Sequence, residues 1–210
     1  MANEDLSARL GRVEEKLARL KRLDRRYSIF GSSRHEYRLN PPVPKERIVE
    51  FEEKHGVHLP FDYRCFIRFV GDGGAGPFYG LGQLEDGVYM DMDSRRTEFQ
   101  LDLSRPFPHI EAWNLEYVDD PDDETKRRAY EEEYFDRRHA PGLLRLCNFG
   151  CGVFINLAVN GPESGNMWTD DRINDNGIFP SQELGNDEKL KFIDWYELWL
   201  DQSITKAQED

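Results

Sequence analysis

The chain has 210 residues, enough for one domain with a sizeable core and a short appendage, and too few for two full domains. Hydrophobic residues make up 38% of it and aromatic residues 12%, so the 33% charged fraction marks a charged surface on a folding chain. A formal charge of −13 repels nucleic-acid phosphates and anionic lipid heads, and no apolar run reaches the roughly 20 residues that span a bilayer; the expectation is a cytoplasmic protein that binds neither nucleic acid nor membrane.

Leu6, Leu10, Val13, Leu17, Leu20 and Leu23 recur at helical spacing and predict an amphipathic helix within residues 1–28. That segment holds eight basic residues against five acidic ones, a net of +3, which leaves −16 on residues 29–210. The helix either crosses the domain's own surface, leaving a monomer, or forms a short coiled-coil seam and a weak dimer; three heptads barely suffice for the seam. Residues 29–44, with Gly31-Ser32-Ser33 and Pro41-Pro42-Val43-Pro44, read as a linker. From Lys45 a helix carries Ile48, Phe51 and His55 and should stop at Gly56, and Pro60 opens a second one through Tyr63, Phe66, Ile67 and Val70. The turn Gly71-Asp72-Gly73-Gly74-Ala75-Gly76-Pro77 ends it, and Phe78–Leu81 and Gly87–Met90 read as short strands.

Residues 111–139 hold eleven acidic residues against five basic ones, with a helix start near Pro121 and an apolar face of Ala129, Tyr130, Tyr134 and Phe135. A solvated, mobile helix is expected there. Leu143–Phe149 and Gly152–Val159 read as paired strands, Asn160-Gly161 as a hairpin turn, and Asn166–Thr169 as the returning strand. Leu190–Leu200 presents Phe192, Trp195 and Trp199 on one helical face, and residues 204–210 read as a frayed tail.

Chemistry-bearing motifs are sparse. Cys65, Cys147 and Cys151 are odd in number and suit reduced thiols, and with His139 they lack the paired spacing of a zinc site. None of His35, His55, His58, His109 and His139 stands in a recognisable nucleophile setting, and the glycine turn follows a helix and lacks the Lys-Ser/Thr of a phosphate loop. No enzyme, metal or cofactor is expected.

The order of signals from Ile48 onward resembles the SUKH superfamily, which includes fungal cell-wall assembly regulators and bacterial immunity proteins. In Ile48–Tyr63, the positions Glu52, Gly56, Leu59-Pro60 and Tyr63 are similar to the family's helix, break and LP-x-x-Y segment. Gly71-Asp72-Gly73 stands where the family usually has Asn-Gly-Gly. Asn148-Phe149-Gly150-Cys151-Gly152 is similar to its glycine-flanked turn, Asn160-Gly161 through Trp168 to its hairpin, and Phe192–Leu200 to its closing helix. The resemblance spans about residues 45–202 and implies a single α+β domain at 45–203: a mostly antiparallel sheet with helices packed around it. The leucine-rich N-terminal helix and the acidic insertion at 111–139 lie outside the matched blocks.

The resemblance also implies a non-enzymatic binding module, an immunity-type protein that binds and neutralises a cognate toxin. The acidic charge fits a basic toxin such as a nuclease, whose field it would complement. The alternative is a regulatory scaffold linked to cell-wall synthesis or signalling, working through the N-terminal helix. The expected partner contacts are Asp119, Asp120, Asp122, Asp123 and Glu124, with Trp168 as an aromatic anchor beside Asp170 and Asp171.

Overall fold

The computed structural model describes residues 5–92, 100–116 and 123–209. Among these, six helices and a four-stranded antiparallel sheet form an α+β fold.

The first helix, α1 (Leu6–Leu23), starts where the Asp5 carboxylate accepts from the Ser7 amide at 3.1 Å, and it buries Leu10, Val13, Leu17 and Leu20. The stripe lies against the last helix, α6 (Phe192–Glu209), in the main core. Charge locks the pair. Arg9 reaches Asp194 and Glu197 at 2.6 and 2.5 Å, and Lys16 reaches Asp201 at 2.8 Å. Arg9 and Lys16 of the basic N-terminal segment therefore neutralise acids of their own chain, and Leu10, Val13, Leu17 and Leu20, which the coiled-coil alternative would use, are buried within it.

Residues 29–44 are tied down, not a loose linker. The buried Asp24 at the end of α1 accepts from the Tyr37 hydroxyl at 2.5 Å, from the Ser28 and Ile29 amides at 2.7 and 3.1 Å, and from the Ser32 hydroxyl at 3.3 Å. Local side-chain bonding of this kind is what Asp and Ser offer near a helix end. A single helical turn, α2 (Ser32–His35), lies inside the knot and buries His35.

Helix α3 (Lys45–His55) ends at Gly56, whose φ of +60° and amide bonds back to Glu52 and Glu53 make the expected left-handed cap. Glu52 is buried and joins α3 to α4 (Phe61–Phe69), accepting from the Leu59 amide at 3.0 Å and the Arg64 guanidinium at 3.1 Å. Phe66 of α4 meets Phe192 and Tyr196 of α6 edge-on, with ring centroids 5.1 and 4.9 Å apart. The Asp62 carboxylate accepts from the Ile193 amide at 3.2 Å in the first turn of α6. In the glycine turn the Asp72 carboxylate accepts from the Leu84 amide at 2.8 Å, and Asn40 donates to the Asp72 carbonyl at 2.9 Å. Gly74 has a φ of +100°, and a Cβ there would stand 2.3 Å from the Arg38 carbonyl oxygen, so only glycine fits.

Phe78–Leu81 and Gly87–Met90 are not strands. They contribute isolated bridges, Leu81 to Cys147 and Tyr89 to Gln100, around a 3-10 turn at Leu84–Asp86. The sheet is a meander of β1 (Leu143–Gly150), β2 (Val153–Ala158), β3 (Met167–Asp170) and β4 (Ile178–Pro180). Leu81 covers β1's outer side, and Trp113 bridges Ile178 of β4. The turn between β1 and β2 uses positive φ at Gly150, Cys151 and Gly152. Asn160-Gly161 is not a two-residue hairpin. Asn160 donates its amide to the Leu103 and Ser104 carbonyls at 3.2 and 2.8 Å, so this pair docks a distant loop and the chain returns only at Met167. Helix α6 runs on through the expected frayed tail, with Ile204 buried.

Candidate protein-binding surface

Of the residues expected to meet a partner, Asp119, Asp120 and Asp122 lie outside the described residues. Asp123 caps helix α5 (Glu124–Tyr134), accepting from the Thr125 and Lys126 amides at 3.1 Å each, and Glu124 is exposed in its first turn. This placement favours acids, because unpaired amides and the helix dipole meet a negative charge there. The charges of α5 itself are largely balanced along the helix, with Arg128 on Glu132 at 2.9 Å and Lys126 on Asp123 at 3.4 Å.

Trp168 is not a surface anchor. It is 0% exposed, edge-on to Phe107 at 4.8 Å, with the Lys189 ammonium 5.3 Å from its ring. Asp171 is half-buried and accepts from the amides of Asn174 and Asn176 at 2.6 and 2.7 Å, which shapes the turn before β4.

Asp170, only 5% exposed, is the hinge-pin of a buried ionic cluster. Arg172 contacts both its carboxylate oxygens at 2.8 Å, and Arg145 of β1 reaches the second at 3.0 Å. Arg145 also donates to the Asn156 carbonyl Oδ1 at 3.0 Å and to the Met90 carbonyl at 3.1 Å, and lies 4.5 Å from the Phe154 ring centroid. Burial alone would push the Asp170 carboxyl up, but Arg145 and Arg172 overturn that and hold it down at about 2. Every buried charge here has a partner, as a buried cluster requires.

The cluster fixes the acidic insertion to the sheet. Arg172 donates to the main-chain carbonyls of Tyr134 and Asp136 at 3.0 and 3.2 Å, gripping the C-terminal end of α5, where a cation also suits the helix dipole. Tyr134 is buried, and its hydroxyl donates to Asn114 at 2.7 Å. Trp113 stacks on His139 at 4.0 Å and on His109 at 5.2 Å. Burial, with His139 close by, lowers the His109 imidazole to about 4. The helix expected to be mobile is thus moored at its C-terminal end while most of its surface stays in water. Arg145 and Arg172 were missing from the sequence-derived contacts. The signal for Arg145 was present, because a lone arginine between Leu144 and Leu146 in an apolar strand must find a buried acid.

The Cys147 thiol is buried, raised by desolvation, and donates to the Pro77 carbonyl at 3.0 Å, while Cys151 is exposed on its turn. Among the described residues no group of three or more His, Cys, Asp or Glu side chains is placed to hold a metal ion. Nor is any helix among them long and apolar enough to cross a membrane.

The model of the SMI1 / KNR4 family (SUKH-1) matches residues 42–178, from the start of α3 into β4. The chain belongs to the SMI1 / KNR4 family. No curated protein and no solved structure matches it. The SMI1 / KNR4 match takes in α3, α4, the glycine turn and nearly all of the sheet, while α1 and α6 flank it and pack on each other. Membership supports, at the level of the family, a protein-interaction module of the immunity or cell-wall-related kind, in a family that is generally non-catalytic.

Proposed function

We propose that this SMI1 / KNR4 protein is an immunity-type module that binds and neutralises a basic toxin domain, with a nuclease as the leading class. The carrying observation is the charge distribution. Residues 29–210 hold a formal −16, and Arg9 and Lys16 offset it only locally, at Asp194, Glu197 and Asp201 of α6. An acidic surface attracts the nucleic-acid-binding face of a nuclease and speeds its encounter. The acidic stretch ending in Asp123 and Glu124 leads into a helix pinned to the sheet through Arg172, a supported position for charges that steer a partner. Asp119, Asp120 and Asp122 belong to the same proposed contact. The scaffold alternative is weakened because Leu10, Val13, Leu17 and Leu20, most of the leucine face it would use, pack into the chain's own core.

The test is association kinetics with a candidate basic toxin domain. Changing Asp119, Asp120, Asp122, Asp123 and Glu124 to their amides should slow association several-fold at low salt. The effect should shrink at physiological salt and above, where screening sets in over about 8 Å. Equal rates at low salt would remove this stretch from the interface, and an acidic partner would overturn the electrostatic reading.

A further inference from the structure

With Trp168 buried, the steering charges lack an apolar anchor of the kind that carries most interface energy. A surface of that kind lies elsewhere on the molecule. Phe61, Cys65 and Phe69 recur every four residues along α4 and form one stripe on its outer face. Phe61 is 73% exposed and Phe69 63%, unusual for two large aromatics on one short helix. The stripe forms one wall of a groove of about 570 Å³, and Leu6, Leu10 and Gly11 of α1 form the other. Eight residues of helix rise about 12 Å, the length over which a guest helix presents anchors two turns apart.

Gly11 is the second observation. Glycine inside a helix is less stable there than alanine, so its place in α1 calls for a reason. The fold itself offers none, because a Cβ built at Gly11 meets nothing within 4 Å. The space above this residue is left open by the chain, at the point where a guest would approach the α1 backbone most closely. Asp5 and Glu14 stand at the rim of the same groove, both exposed. Arg68 lies 5.6 Å from the Phe69 ring, with its guanidinium turned to the Val43 carbonyl at 3.5 Å.

We infer that the α1–α4 groove docks an amphipathic helical segment of the protein partner, its apolar face on Phe61 and Phe69 and its basic flanks beside Asp5 and Glu14. This inference rests on the basic-partner reading above and adds to it the place and shape of the apolar contact.

The test uses the full chain and two synthetic 18-residue amidated helices with identical leucine spacing, one filled with lysine and the other with glutamate, measured by calorimetry. The Leu/Lys peptide should bind at least tenfold tighter than the Leu/Glu peptide. Gly11→Leu should fill the groove and weaken Leu/Lys binding at least tenfold while the unfolding midpoint holds or rises. The double variant Phe61→Ser, Phe69→Ser should weaken it similarly. If both variants bind Leu/Lys as the parent does, the groove is not the site, and the basic-partner reading survives alone. If Leu/Glu binds equally tightly and Gly11→Leu abolishes it, the groove docks helices but the basic occupant is wrong. Absence of binding by either peptide overturns the inference.

Discussion

Arg172 grips Asp170 through two hydrogen bonds of 2.8 Å, although the two residues are separated by a single position in the chain and both are buried. The short loop turns the arginine back on the strand it has just left, so that its remaining donor reaches the carbonyls of Tyr134 and Asp136. Sheet and acidic helix thus share one carboxylate.

Removing that carboxylate leaves two guanidinium groups buried beside each other. Asp170→Asn should therefore cost about 3–5 kcal/mol, the range for breaking a buried pair on one side. Hydrogen exchange should show residues 124–134 losing protection first, because the grip on the end of α5 goes with it. Urea unfolding within error of the parent would show that the cluster carries no net stability.

The N-terminal helix should be required for a well-packed fold. Leu17 is 6% exposed against the core, so Leu17→Ala should cost about 2–5 kcal/mol, and deletion of residues 1–28 should also strip Asp194, Glu197 and Asp201 of their partners. The expected product is aggregated or lacks a cooperative transition. A soluble fragment with a sharp thermal transition would show that α1 is an appendage after all.

Much of this architecture was legible because the signals are local. The leucine stripe of α1, the cap at Gly56, the break at Pro60 and the aromatic face of α6 each lie within a few turns of one helix. The failures share a cause. Asn160-Gly161 has hairpin chemistry, but its amide is claimed by Leu103 and Ser104, more than 50 positions away. Trp168 and Asp170 sit in a polar stretch that reads as surface, yet Phe107 and Arg145, from other parts of the chain, cover them. The segment 29–44 has the composition of a linker, and one buried carboxylate, Asp24, makes it structure. The α1–α4 groove was illegible for the same reason, since Gly11 and Phe61 become neighbours only after the two helices are placed.

Acid should lower the protein's stability in two separable pH windows. Burial lowers the His35 imidazole to about 4, and the same cause places His109 at about 4, with His139 and Arg172 adding repulsion to its charged form. Against an unfolded value near 6.5, both groups bind protons more readily once the chain unfolds. Their contribution to stability is therefore complete above about pH 6.5 and is lost as pH falls from there towards 4. Asp170 acts in a lower window. Held at about 2 in the fold against about 3.9 unfolded, its contribution is complete above about pH 3.9 and disappears between there and pH 2. Urea midpoints read at pH 7.5, 5.5, 4.5 and 3 should thus fall first between 7.5 and 4.5 and again below 4. His109→Gln should flatten part of the first decline and leave the second intact, since the glutamine does not titrate. Equal midpoints at pH 7.5 and 4.5 in the parent would mean that His35 and His109 are free to protonate in the folded protein, and the stacked packing of His109 on Trp113 would then have to open in solution.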